Sequence, residues 1–386
     1  MVVRLATAVP RYRSMLASLT GVLLVGLLAA TAHATYAPVH TTGDALVRPG
    51  KWNPKKAPPG WEVIEVGNYQ VQSHVGRDKG EALAHHLEGM LELYREFLPF
   101  NKKMPTFVLK IFRDYREFKE YGGGGAAHYD KRNKEIVCYD TGIILGVRDI
   151  PAQIQLADDL DIEFTEIERA RLDQLFEQTT EAYTYDLASV LSHEGWHQYF
   201  HYYTVSWVSM PSWLDEGLGD YFFTAHQPEP GADHQLGELN HNRLRRIRQA
   251  FDEGTSVTFE RLLEFEQQDY YSNASVFYAQ GWSMVYFLMQ HPEKKKRQLI
   301  PRLIKDFKRS KNFRESTDKV FKGLDFDELD TQWITFVLRT EPDDPLRTLA
   351  REFGPKLPAE SLVAPRNWAD AYTLRVEQEH PTDADG

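Results

Sequence analysis

Between Glu181 and Tyr203 the chain has no proline and predicts one long helix, and inside that helix stands Leu191-Ser-His193-Glu194-Gly-Trp-His197-Gln-Tyr-Phe-His201. Residues four apart on a helix share a face, so the rings of His193 and His197 can converge on one ion. Glu194 lies about one hundred degrees further around, where it can address a metal-bound water without being a ligand. This is the HExxH pattern. Three fixed letters in five are weak in isolation, and the plain alternative is a pair of surface histidines. Leu187, Val190 and Leu191 form an apolar stripe beside them, which places the histidines at the border of a buried face. His201 continues the series by one turn, but it lies about 12 Å along the axis from His193. A zinc with bonds of about 2 Å cannot collect all three, so His201 reads as structural.

A catalytic zinc takes a third protein ligand and keeps one position open for water. The HExxHxxGxxH solution is excluded, because Phe200 and Tyr203 stand where Gly and His are required. The other solution takes a glutamate from a following helix. Pro211-Ser-Trp-Leu-Asp-Glu216-Gly-Leu-Gly-Asp220-Tyr-Phe-Phe opens such a helix, with Glu216 placed 19 residues past His197. Asp220, four residues after Glu216, shares its face and can accept a hydrogen bond from the far nitrogen of a ligating histidine.

HEGWH followed by PSWLDEGLGDYF resembles the gluzincin branch of the zinc metallopeptidases, the thermolysin-like set with HExxH and a downstream glutamate. More narrowly, it is similar to peptidase-MA-like secreted bacterial proteins of unassigned function. The resemblance is strong from about 189 to 223 and looser from about 103 to 140 and from 270 to 337. It implies His193, His197 and Glu216 as ligands of one Zn²⁺ per chain, Glu194 as general base, and Asp220 as the support of the first histidine. It also implies an α+β, zincin-like fold: a small mixed sheet whose edge strand can pair with an extended peptide, an active-site helix, and a mainly helical C-terminal lobe.

Residues 1–34 read as a secretory signal. Arg4, Arg11 and Arg13 precede an apolar run from Met15 to Ala30, and Ala32-His-Ala34 predicts cleavage after Ala34. That expectation makes the protein secreted or periplasmic, without stable membrane insertion. Loss of the three arginines takes the formal charge from −11 to −14, which disfavours nucleic acid as a partner. Cys138 is the only cysteine, so no intramolecular disulfide is possible.

Residues 35–60, rich in proline and basic side chains, read as a linker or arm. A lobe over 61–225 follows. In it Trp61–His74 predicts a strand, Lys79–Leu98 a helix, Phe107–Phe112 a strand, Asp114–Tyr121 a short helix and Lys134–Tyr139 a strand. The glycine run from Gly122 to Gly125, continuing to Asp130, reads as a connector or a flap over a cleft. The acidic stretch 149–178 reads as a solvated insertion. A helical lobe over 226–340 ends in an acidic, proline-containing tail, 341–386. Within the helical lobe, Tyr278 is the expected hydrogen-bond donor to an oxyanion, with Tyr271 in reserve. The composite expectation is a secreted zinc metallopeptidase acting on peptide or protein. The opposed reading is a secreted zinc-binding domain without catalysis that serves as an interaction module.

Overall fold

The computed structural model describes residues 39–40, 46–140, 143–145, 164–204, 210–225, 234–237 and 239–340, together with 348, 352 and 353. Residues 1–34, expected as a secretory signal, lie outside the described residues, as do most of the tail and the acidic stretch before 164. Two short strands, β1 (Val39–His40) and β2 (Leu46–Val47), pair with each other. A five-stranded sheet follows in the order β3 (Glu62–Val66), β4 (Tyr69–Ser73), β5 (Phe107–Phe112), β7 (Glu135–Tyr139), β6 (Ala127–Asp130). Its centre is parallel and both margins are antiparallel. Helix α1 (Arg77–Phe97) makes the crossover from β4 to β5, and α2 (Tyr115–Glu120), capped by the Asp114 side chain, lies between β5 and β6.

The stretch 61–74, expected as one strand, is a hairpin that turns at Gly67-Asn68. Gly67 has φ +52°, the positive value that a two-residue hairpin loop favours. The Glu88 carboxylate of α1 accepts from the Asn68 amide and side chain and pins the turn. The glycine-rich connector likewise ends in a strand: β6 runs beside β7 and forms the sheet margin.

The predicted helix over 181–203 is broken. Helix α3 (Glu166–Tyr183) stops where Thr184–Asp186, strand β9, pairs antiparallel with Ile143–Leu145, strand β8. Tyr183, Thr184 and Tyr185 favour extended backbone, and the available partner decides between helix and strand. Helix α4 (Leu187–Thr204) then starts afresh and carries the histidines, and α5 (Ser212–Phe223) packs against it. The remaining helices are α6 (His241–Glu253), α7 (Phe259–Leu263), α8 (Gln267–Ser272), α9 (Ala274–Gln290), α10 (Lys294–Arg297), α11 (Leu299–Ser310), α12 (Phe313–Val320) and α13 (Phe326–Arg339). The fold is α+β and mostly helical. One hydrophobic core runs without a break from Val47 to Val337, so sheet and helices share it. No helix among the described residues is long and apolar enough to cross a membrane.

Part of the expected arm is fastened to the sheet. Trp52 is buried, its amide donates to Gln70 Oε1 (2.7 Å), and its ring packs edge-on against Trp61. Gly50 donates its amide to Glu135 Oε2 (2.7 Å) and accepts from Lys110 Nζ (3.1 Å). Lys110 and Glu135 are wholly buried and paired at 2.5 Å. Buried charges need partners, and the backbone at Gly50 supplies one to each of them.

Candidate metal centre

Helix α4 carries His193 and His197 one turn apart, and α5 crosses it with Glu216 facing both. His193 Nε2 lies 2.9 Å from His197 Nε2 and 3.1 Å from Glu216 Oε2, and His197 Nε2 lies 3.3 Å from the same carboxylate oxygen. Ligands of a tetrahedral ion with bonds of about 2.0–2.1 Å stand about 3.3 Å apart, so the triangle is of metal-binding size. All three ligand atoms lie within 4.8 Å of one another.

The far side of each ring supports that use. Asp215 Oδ1 lies 2.7 Å from His197 Nδ1, and Asp220 Oδ1 lies 3.2 Å from His193 Nδ1. Protons on the two Nδ1 atoms leave both Nε2 lone pairs directed at one point, where a carboxylate oxygen also arrives. Three lone pairs so arranged repel unless a cation stands among them, and the His₂-carboxylate donor set suits zinc and its neighbours.

Electrostatics agree. Burial opposes charge on His193, yet its bonds with Asp220 and Glu216 outweigh this and raise its pKa to about 9. For His197 burial is likewise overcome, by Asp215 and Glu216, and its pKa rises well above the usual imidazole value. Burial pushes Glu216 up, but the two histidines pull it well below the usual carboxylate range. Without a metal the cluster holds protons between its histidines and carboxylates.

Glu194 stands beside the triangle. Its Oε2 accepts a hydrogen bond of 2.7 Å from the backbone amide of Tyr129 in β6, so the sheet margin orients it. Burial raises its pKa above that of an ordinary carboxylate, the attraction of His197 and His193 notwithstanding.

Helix α5 presents three acids to this centre: Glu216 toward the ion position, Asp220 behind His193 and Asp215 behind His197. Asp220 is itself fixed by the buried Arg243 of α6, whose Nε lies 2.7 Å from Oδ2. Gly219 makes room: a methyl there would stand 2.7 Å from His193 Cε1. Asp215 also accepts from His201 Nε2 through Oδ2 (3.0 Å), so His201 supports the site at one remove. The roles of Asp215, His201, Arg243 and the Tyr129 amide escape a sequence reading. The available signals are small: three acids within six residues of α5, and a histidine one turn beyond the pair.

The two tyrosines expected near the site have different surroundings. Tyr271, on α8, donates its hydroxyl to Glu216 Oε1 at 2.7 Å. Tyr278, expected to serve an oxyanion, lies on α9 with its ring 5.0 Å from the Arg243 guanidinium, behind Asp220. The break between α8 and α9 at Asn273 separates the two. Tyr271 therefore steadies Glu216, and the Tyr278 ring covers the Arg243–Asp220 ion pair that backs His193.

No curated protein matches this chain. Residues 187–311 match a family described as "Protein of unknown function (DUF1570)". That span opens at the first residue of α4 and contains every side chain of the centre, while Tyr129 lies outside it. Over these residues the chain is similar to that family.

Proposed function

We propose that this chain is a secreted zinc-dependent metallopeptidase of the gluzincin kind. The observation that carries this reading is the convergence of His193, His197 and Glu216 with a fourth group, Glu194, poised beside the triangle and outside it. A purely structural site is closed by four ligands and has no use for a base. When bound, zinc supplies a Lewis acid that polarises a carbonyl and makes water nucleophilic near neutral pH.

The chain's own residues do the rest. Glu194 takes the proton of the attacking water and returns it to the leaving amine, and its raised pKa suits both steps. The Tyr129 amide holds the carboxylate in place during the transfer. Asp215 and Asp220 keep the two rings in one tautomer, and Tyr271 holds the second oxygen of Glu216. Strand β6, at the sheet margin and adjacent to Glu194, is the place where an extended chain can add as a further strand.

The test pairs two variants with elemental analysis. Wild type and Glu194→Gln are expected to carry about one zinc per chain, and Glu216→Ala to lose it. Peptide hydrolysis should fall at least roughly a hundredfold in Glu194→Gln. Full turnover in that variant, or equal metal in Glu216→Ala, would overturn the reading.

A further inference from the structure

A cavity of about 290 Å³ opens beside this centre, between the sheet and α4. Its walls are Pro105, Phe107, Tyr129 and Tyr202, and its polar lining comes from Gln198 and His201, with exposed Lys134 at the mouth. Tyr129 is the residue whose amide holds Glu194, and His201 shares Asp215 with the ligand His197. The cavity therefore adjoins the reacting groups. A peptide laid along β6 alternates its side chains above and below the sheet margin, so one set points into the space between β6 and α4.

Two residues of the lining carry unmet acceptors buried beneath the cavity surface. Gln198 Nε2 donates to Val108 O (3.3 Å) and Lys134 O (3.1 Å), which fixes the amide orientation and leaves Oε1 as the other end. Gln198 Oε1 is buried without a partner. The Nε2 of His201 is engaged with Asp215, so the remaining nitrogen of the neutral ring, Nδ1, is an acceptor, and it too is buried without a partner. Orphaned polar atoms are rare in buried positions because each costs on the order of 1–3 kcal/mol. Both stand on adjacent turns of one helix at one cavity, where a single ligand that brings protons can meet the two of them.

Three features narrow its chemistry. Acceptors repel a carboxylate, Lys134 at the mouth disfavours a cation, and the ring-lined volume is poorly filled by a small side chain. We propose that this cavity is a specificity pocket for an aromatic substrate side chain bearing a hydrogen-bond donor, tyrosine or tryptophan in type, its donor meeting Gln198 and His201 after a small adjustment of those side chains. The assignment rests on the peptidase reading for its purpose, but the pocket can be tested without catalysis.

The experiment measures binding of N-acetyl-tyrosinamide, N-acetyl-phenylalaninamide and N-acetyl-alaninamide to metal-free wild-type protein by ligand-observed NMR, in the millimolar range expected of fragments. Saturable binding is expected for the tyrosine amide, roughly tenfold weaker binding for phenylalanine, since a lost buried hydrogen bond is worth about that factor, and none for alanine. Thr106→Trp, a change at an exposed position on the rim, should abolish binding while metal content stays as in wild type. Equal binding of all three amides, no saturable binding of the tyrosine amide, or binding that survives Thr106→Trp would overturn the pocket. Absence of hydrolysis by zinc-loaded wild type would overturn the peptidase reading alone. If peptides are cleaved, Thr106→Trp should lower kcat/KM for tyrosine-containing peptides at least roughly tenfold relative to alanine-containing ones.

Discussion

Asp215 shows how much one carboxylate can organise. It accepts from His197 with one oxygen and from His201 with the other, so it fixes the His197 ring and joins it to the cavity lining. Asp215→Asn keeps the shape but removes the charge and puts an amide NH₂ against one imidazole N–H. Metal affinity should fall about 10- to 100-fold, read by competition with a chromogenic chelator. Unchanged affinity would exclude a supporting role for Asp215.

The proton is the metal's competitor in the same triangle. With the His193 pKa raised to about 9 and that of His197 also raised, metal uptake at neutral pH must expel protons, so apparent affinity should climb with pH from neutrality through about 9. Calorimetry in two buffers of different ionisation enthalpy measures the number released. The metal-free protein should show the mirror effect. A folded pKa above the unfolded value of about 6.5 means that protonation of His193 stabilises the fold fully below that pH and progressively less as pH rises through about 9. Chelated protein should therefore lose thermal stability on the alkaline side more steeply than loaded protein. Parallel Tm profiles for the two forms would show that His193 carries no such proton.

At the scale of elements, α5 is held from two sides through two glycines. A methyl at Gly217 would stand 2.8 Å from the carbonyl oxygen of Gly281 in α9, and backbone cannot yield cheaply. Gly217→Ala should separate the helices at a cost of about 1–3 kcal/mol, beyond what helix propensity returns, measured by urea denaturation of the metal-free protein. Gly219→Ala presses on the His193 ring, which can move, so its loss should appear mainly in metal affinity. If instead Gly219→Ala proves the more destabilising of the pair with its metal affinity intact, the assignment of the two glycines is reversed.

Over the whole molecule, Lys110 and Glu135 lie beneath the strap at Gly50 and tie a segment that precedes the sheet to its central strands. Tyr121 completes the shell by donating to Glu135 Oε1 (2.5 Å). Lys110→Met alone leaves a buried carboxylate unpaired and should cost about 3–5 kcal/mol, while the double change Lys110→Met with Glu135→Leu should recover most of it. A single variant as stable as wild type would mean that water reaches Glu135.

What could be read from sequence was local. The HEGWH helix, the PSWLDEG helix after it, the strand 107–112 and the amphipathic helix near 79–98 follow from periodicity within single elements, and so does the pairing of His193 with His197 on one face. Where the reading failed, a partner far along the chain decided. The strand that interrupts 181–203 exists because Ile143–Leu145 is there to pair with it, the glycine connector becomes a strand because β7 offers an edge, and Trp52 is drawn from the arm by Gln70. Helical periodicity sets the angle between two side chains on one rod, but it says nothing of how two rods cross. Thus His193, Glu194 and His197 on one helix and Glu216 on the next could be singled out from the sequence alone. Which acid of α5 backs which ring, that Tyr271 and not Tyr278 reaches Glu216, and that an amide of β6 holds Glu194 were decided by tertiary packing, because each depends on the close approach of elements that only the shared core brings together.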